Sequence, residues 1–177
     1  MRHVGAQYET SAFVDYGCGL GRPVCCAGLF PFKRVVGLEL AAQIADLARE
    51  NVESARRRFR CHDVQIISGN ATEWRVPSDA AVFHFYSPFV GRTLRTVCRS
   101  ITRSMREHPR LAWIMSAEPW QVGALMRIGK IIPQSWQIAE HQVRYPFFSD
   151  TRVSDPDGNQ YRVFVLDSRT DHVDVDD

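Results

Sequence analysis

The stretch Phe13-Val14-Asp15-Tyr16-Gly17-Cys18-Gly19-Leu20-Gly21-Arg22 decides the fold of this chain. Ala12 to Tyr16 is a short apolar run that stops at a glycine cluster, which reads as a buried strand. Pro23 to Phe30 reads as a short helix, since proline is tolerated in a first helical turn. A strand that feeds a helix through glycines lets the backbone turn tightly and approach a ligand closely. The spacing is D-x-G-x-G-x-G. It lacks the lysine of a phosphate loop, and Arg22 stands where a dinucleotide site of the GxGxxG kind needs its third glycine.

Outward from this stretch, strand and helix patterns alternate. Arg34 to Leu38 is the second strand. Ala41 to Phe59 is a helix in which Ile44, Leu47, Ala48, Val52 and Ala55 recur at helical spacing, opposite Arg49, Glu50, Glu53, Arg56 and Arg57. Val64 to Ser68, Ala80 to Tyr86 and Leu111 to Ser116 follow as strands, with a basic amphipathic helix from Thr93 to Arg106. A short helix is expected near Val122 to Ile128. Two closing strands, Gln137 to Arg144 and Tyr161 to Leu166, flank a turn containing Asp155-Pro156-Asp157-Gly158 and suggest a hairpin-like pairing at a sheet edge. Such alternation argues for an α/β domain with a parallel sheet covered on both faces by helices.

The chain has 177 residues, enough for one domain with a substantial core. No apolar run approaches the roughly 18 residues needed to span a bilayer, and Met1 to Ser11 does not read as a signal peptide, so a cytoplasmic location is expected. The net charge of +2 does not imply a nucleic-acid partner by itself. Cys18, Cys25, Cys26, Cys61 and Cys98 form no CxxC pair and read as free thiols in a reducing compartment, with Cys25 and Cys26 as packing residues. No metal site is expected, because Asp155, Asp157 and Asn159 lack the other ligands of a calcium loop.

Three further positions carry chemistry. Glu39 directly follows the second strand, where a carboxylate can accept hydrogen bonds from both ribose hydroxyls of an adenosine, or else act as a helix N-terminal charge. Ser68-Gly69-Asn70-Ala71 follows the third strand, and Asn70 offers a side-chain carbonyl acceptor. Phe83-His84-Phe85-Tyr86-Ser87-Pro88-Phe89 ends the fourth strand. Its alternation puts His84 on the face of Tyr86, opposite Phe83 and Phe85, and His84 reads as a structural histidine rather than a general base. Phe83 and Phe85 read first as core. Phe85, Tyr86 and Phe89 also offer aromatic faces to a cation.

In combination these motifs resemble class I S-adenosylmethionine-dependent methyltransferases, by motif order over Ala12 to Ala117 and by element pattern to Leu166. The resemblance implies a Rossmann-like, doubly wound, mostly parallel seven-stranded sheet with an antiparallel last strand and helices on both faces. It implies S-adenosyl-L-methionine as cofactor, lined by Asp15, Gly17, Cys18, Gly19, Glu39, Leu40, Asn70, Ala71 and Phe85, with Glu39 on the ribose and Asn70 at the adenine amino group. It places methyl transfer at Tyr86, Ser87, Pro88 and Phe89. Ser87 stands where amine-methylating relatives carry an Asn or Asp carbonyl, so the resemblance does not extend to an amine acceptor.

The resemblance further implies a single methyltransferase domain over residues 1–168, and the acidic, polar stretch 169–177 reads as a disordered tail. About a dozen residues precede the first strand, so the usual N-terminal lid helices are expected to be missing, with a partner or a homo-oligomer covering the cofactor cleft. The expected function is methyl transfer to an acceptor that the sequence does not identify, with nucleic acid open and no membrane partner. A cofactor-binding, catalytically weak module acting through a partner is the rival, and an NAD-dependent oxidoreductase is the third reading. Arg92, Arg95, Arg99, Arg103 and Arg106 share helical spacing, which gives either a basic stripe or a solvated helix face.

Overall fold

The computed structural model describes residues 7–116, 138–144 and 160–169. The first strand, β1 (Ala12–Tyr16), has all five residues buried, as a strand covered on both faces must. A short helix, α1 (Arg22–Gly28), leads to β2 (Arg34–Glu39), and α2 (Ala42–Ala55) leads to β3 (Val64–Ser68). Next come β4 (Ala80–Phe85), α3 (Gly91–Glu107) and β5 (Leu111–Ser116), then β6 (Ile138–Arg144) and β7 (Gln160–Asp167). A single turn of 3-10 helix at Tyr8–Thr10, which the sequence patterns did not indicate, precedes β1.

The strands hydrogen-bond in the order β3-β2-β1-β4-β5-β7-β6. From β3 to β5 every pairing is parallel. β7 inserts antiparallel beside β5 and pairs antiparallel with β6 at the edge. The order reverses between β1 and β4, the place where open α/β sheets bind ligands at the carboxyl ends of their strands.

Each face of the sheet has its own core. On one, Phe13, Val35, Val82 and Met115 pack with Val24 and Ala27 of α1 and with Ala45, Ala48 and Val52 of α2. On the other, Val14, Tyr16, Phe83, Phe85 and Ile114 pack under Leu94, Val97, Ile101 and Met105 of α3. The sheet is therefore covered on both sides.

The expected core face of α2 is rotated. Ile44 and Leu47 lie exposed at 39% and 49%, and the buried residues are Ala45, Ala48 and Val52. The reason is close approach: at Gly21, the N-cap of α1, an added Cβ would stand 3.4 Å from the Cβ of Ala48, so small residues line that seam. Helical spacing alone fits two adjacent stripes here, and the larger side chains took the solvent side. The expected helix near Val122 to Ile128, the turn at Asp155 to Gly158 and the tail beyond Arg169 lie outside the described residues. Among the described residues, no helix is long and apolar enough to cross a membrane, and no cluster of three or more His, Cys, Asp or Glu is placed to hold a metal ion.

Candidate functional site

The carboxyl edge of the parallel strands gathers the residues that the motifs singled out. After β1 the chain turns back over the end of β2: the Gly17 and Cys18 amides both donate to the Leu38 carbonyl at 2.9 Å. The Gly19 amide then donates to Glu39 Oε2 at 3.0 Å, and the Ala41 amide donates to Glu39 Oε1 at 3.0 Å. Behind it, the Gly69 amide donates to the Glu39 carbonyl at 2.8 Å. Glu39 thus ties the glycine loop, the start of α2 and the turn after β3 to one point. Each carboxylate oxygen takes one hydrogen bond and keeps a lone pair for another donor. Leu40 beside it is 73% exposed.

Two glycines of the loop do different work. Gly17 has φ +70°, and a Cβ there would fall 2.4 Å from the Cβ of Pro88, so only glycine lets the loop meet the segment after β4. Gly19 has φ +52°, and no atom stands within 4 Å of the point a Cβ would occupy, so its surface is open.

Asp15 does not face solvent. It lies opposite His84 in the β1–β4 register, and its Oδ1 is 2.6 Å from His84 Nδ1, with both residues fully enclosed. Its other oxygen, Oδ2, is buried with no hydrogen-bond partner. His84 is therefore structural, as its strand position suggested, and it is sealed from any acceptor. The pairing itself was hidden from sequence reasoning, because it depends on the register of strands 69 residues apart.

Asn70 is exposed, and its side chain is spent on the turn. Its Oδ1 accepts from the Thr72 amide at 3.0 Å and the Thr72 hydroxyl at 2.8 Å, while its Nδ2 donates to Glu73 at 3.0 Å. The carbonyl assigned to the adenine amino group thus has both lone pairs engaged, an Asx-type turn that shapes the loop. Ala71 packs partly against the α3-side core.

The segment after β4 holds the least relaxed residue of the site. Ser87 has φ +47°, the one non-glycine residue in the left-handed region among the described residues, and its Oγ is buried without a partner. Strained backbone and an orphan buried hydroxyl in one residue mark a place where structure gives way to function. Asparagine tolerates this conformation better than serine does. Tyr86 is half exposed. Phe85 is core: its ring stacks on Tyr16 at 5.0 Å, and Phe89 closes edge-on over Phe85 and Tyr16 at 6.2 Å each. The aromatic face with access to solvent is therefore that of Tyr86, not Phe85.

All five cysteines are free. Burial, followed by the nearby charges of Asp15 and Glu39, pushes the Cys18 thiol up to about 12, and burial does the same to Cys98. Thiols held that high stay protonated at neutral pH and are poor nucleophiles. Cys25 and Cys26 are half buried in α1.

The Glu39 carboxylate keeps spare acceptor capacity beside the loop. Ribose hydroxyls are donors, and Gly19 leaves room for a ligand to lie against the loop. The residues present fit S-adenosylmethionine.

No family model matches the chain, and no curated protein matches it in sequence. Solved structures do. The methyltransferase domain of a bacterial Hen1 protein aligns with a TM-score of 0.59 at 11% identity, over 89% of this chain and 90% of that one. Precorrin-6y C5,15-methyltransferase from Geobacter metallireducens aligns at 0.58 and 13% identity, over 89% and 80%. Geranyl diphosphate C-methyltransferase from Streptomyces coelicolor, solved with Mg2+, geranyl diphosphate and S-adenosyl-L-homocysteine, aligns at 0.57 and 16% identity, over 95% and 77%. At these identities the likeness is one of fold. The chain has the Rossmann-like fold of the class I S-adenosylmethionine-dependent methyltransferases.

Proposed function

We propose that residues 1–168 form a single domain that transfers a methyl group from S-adenosylmethionine to an acceptor molecule. The observation that carries this reading is the junction of Gly19, Glu39 and Ala41 at the carboxyl edge, next to the point where strand order reverses. Glu39 holds the ribose hydroxyls through the lone pairs its backbone donors leave free. Leu40 and the Asn70–Ala71 turn would hold the adenine. Gly17, Cys18 and Gly19 would hold the methionyl part through their backbone, with Asp15 and Phe85 supporting the loop from within the core.

When bound, the cofactor would supply an electrophilic methyl group carried on a sulfonium, with a neutral thioether as leaving group. The chain's own task is then positioning, which supplies much of the rate in a direct displacement. Tyr86, Ser87, Pro88 and Phe89 border the acceptor's approach. Pro88 fixes that segment against Gly17, Phe89 seals it on the aromatic stack, Ser87 turns the backbone, and Tyr86 provides the exposed hydroxyl that orients the acceptor.

Calorimetric titration with S-adenosylhomocysteine tests the cofactor assignment. Binding is expected, with NAD and NADP at least about tenfold weaker, roughly 1.4 kcal/mol. Comparable NAD affinity would overturn the reading in favour of an oxidoreductase. One observation favours a second reading, a cofactor-binding module of low activity: His84 is sealed off, so the segment after β4 offers hydroxyls but no accessible histidine or carboxylate as a base. Turnover of labelled S-adenosylmethionine over a panel of acceptors separates the two.

A further inference from the structure

The two long helices manage charge in opposite ways. On α2 and its C-cap, acids and bases pair along the surface: Arg49 with Asp46, and Arg56 with Glu53. On α3, Leu94, Val97, Cys98, Ile101 and Met105 face the core, while Arg92, Arg95, Arg99, Arg103 and Arg106 are all exposed. The helix contains no acidic residue before Glu107. Among the described residues, none of these five arginines makes an ion pair, although arginines elsewhere do.

Like charges three or four residues apart on a helix repel, and Arg92 sits in the first turn, where the helix dipole disfavours a cation. The stripe is therefore kept against its own electrostatics. It runs about 21 Å at about 1.5 Å per residue. Its N-terminal end begins five residues after Ser87, beside the segment assigned to the acceptor.

A groove adjoins the stripe. About 310 Å³ in volume, it lies between the turn at residues 72–76 and α3, and its lining includes Trp74, Arg75, Ser100 and Arg103, with Glu73 and Glu107. Trp74 is partly exposed and held edge-on against Tyr16 at 6.1 Å. Arg103 belongs to both the groove and the stripe. A track of arginines beside an anchored aromatic ring is the combination that holds single strands, with charge for the phosphates and a flat face for a base.

We infer that the exposed face of α3, with the Trp74 groove, binds a single nucleic-acid strand and leads it toward the Tyr86–Phe89 segment. This deepens the methyl-transfer reading by assigning an acceptor class, and it rests on that reading only for what happens at the segment. The strand's phosphates lie along Arg92 to Arg106, and a base enters the groove against Trp74.

Fluorescence anisotropy tests the inference, using a labelled mixed-sequence RNA of about 12 nucleotides and its DNA counterpart at about 50 and 200 mM salt. With roughly three to five phosphates neutralised at about 0.7 each, affinity should fall about 20- to 100-fold across that range. The triple variant R95E/R99E/R106E changes only exposed side chains and should bind at least about tenfold more weakly, while its S-adenosylhomocysteine affinity and circular dichroism stay unchanged. A milder variant, R95Q/R99Q, should fall between the two. Salt-independent binding, or full affinity in the triple variant, overturns the inference. So does equal or tighter binding to a duplex of the same sequence or to phosphatidylserine vesicles, and so does discrimination of more than about tenfold between RNA and DNA, which charge on the backbone does not provide. Strand binding without S-adenosylhomocysteine binding would sink the methyltransferase reading and leave this one standing; the converse would do the reverse.

Discussion

The two ends of the sheet are built on opposite terms. At the amino end, polar groups are tied down. Arg110 donates through Nε to the Ala80 carbonyl at 2.7 Å, through one terminal nitrogen to the Ser104 and His108 carbonyls, and through the other to the Ser104 hydroxyl at 3.0 Å. Ser168 accepts from the Arg110 amide and donates toward the Met105 and Arg110 carbonyls. Asp79 receives both Lys33 and Arg34 at 2.9 Å. At the carboxyl end, by contrast, Asp15 Oδ2 and Ser87 Oγ are buried without partners, Ser87 sits in a left-handed conformation, and Gly19 faces open space. The amino end has its own orphans, Asp79 Oδ1 and Arg34 Nε, each on a side chain otherwise paired, as Asp15 is paired with His84; Ser87 has no such partner. The difference teaches where stability and where ligand capacity reside. Satisfied networks close a protein, while a left-handed serine and an open glycine loop leave the carboxyl end room for a ligand.

The strongest way to break this contrast is at Arg110. Burial pushes its guanidinium down to about 10, against the opposing charge of Asp79, so it is still protonated at neutral pH. Arg110→Ala leaves buried carbonyls unpaired and should destabilise the fold by about 3 kcal/mol. Urea unfolding measures the loss, and calorimetry should find S-adenosylhomocysteine affinity unchanged in the folded fraction. A variant that kept its stability and lost ligand binding would invert the assignment of the two ends.

Gly17→Ala comes next. It combines a left-handed backbone with a clash against Pro88, and it should cost about 2–3 kcal/mol of stability. It should also weaken cofactor binding, because the loop must move away from the segment after β4. A neutral result in thermal melts would show that the two segments do not meet.

Glu39→Ala sharpens the contrast from the other side. It should weaken S-adenosylhomocysteine by about 1–3 kcal/mol, the cost of leaving donors unpaired, with a smaller effect on the melting temperature. Unchanged affinity would remove Glu39 from the ribose. Ser87→Gly should act in the opposite sense, stabilising the chain by about 1 kcal/mol as it relieves the left-handed serine and deletes the orphan hydroxyl. A loss of stability there would mean that the hydroxyl is satisfied after all.

The smallest effect is a pH dependence at the amino end. Burial pushes the Asp79 carboxyl up, but hydrogen bonds from Lys33 and Arg34 and their charges outweigh it and hold the group below its ordinary value. A carboxyl depressed in the folded state adds stability above its unfolded value of about 3.9 and loses it as pH falls through the folded value. Stability measured from neutral pH down through that range should therefore fall less steeply in Asp79→Asn than in the wild type. Parallel curves would show that Asp79 titrates alike in both states.

What the sequence determined by itself was local. The glycine spacing after β1 needs only backbone conformation to be read, and alternating apolar runs and helical stripes are properties of neighbours along the chain; these were enough for the parallel α/β order and for Glu39 at the end of β2. The tertiary structure decided whatever depended on which distant residues meet. Ile44 and Leu47 satisfied helical spacing as well as Ala45 did, and the tight seam at Gly21 and Ala48 settled which side faced inward. Asp15 was assigned to a ligand, yet the β1–β4 register set it against His84. Asn70 kept its place but turned its carbonyl to Thr72, because a side chain two residues from a backbone amide satisfies it locally before any ligand arrives. The strain at Ser87 left no mark in composition: a serine reads the same in any conformation, and only the packing of Pro88 on Gly17 and of Phe89 on Tyr16 accompanies its positive φ.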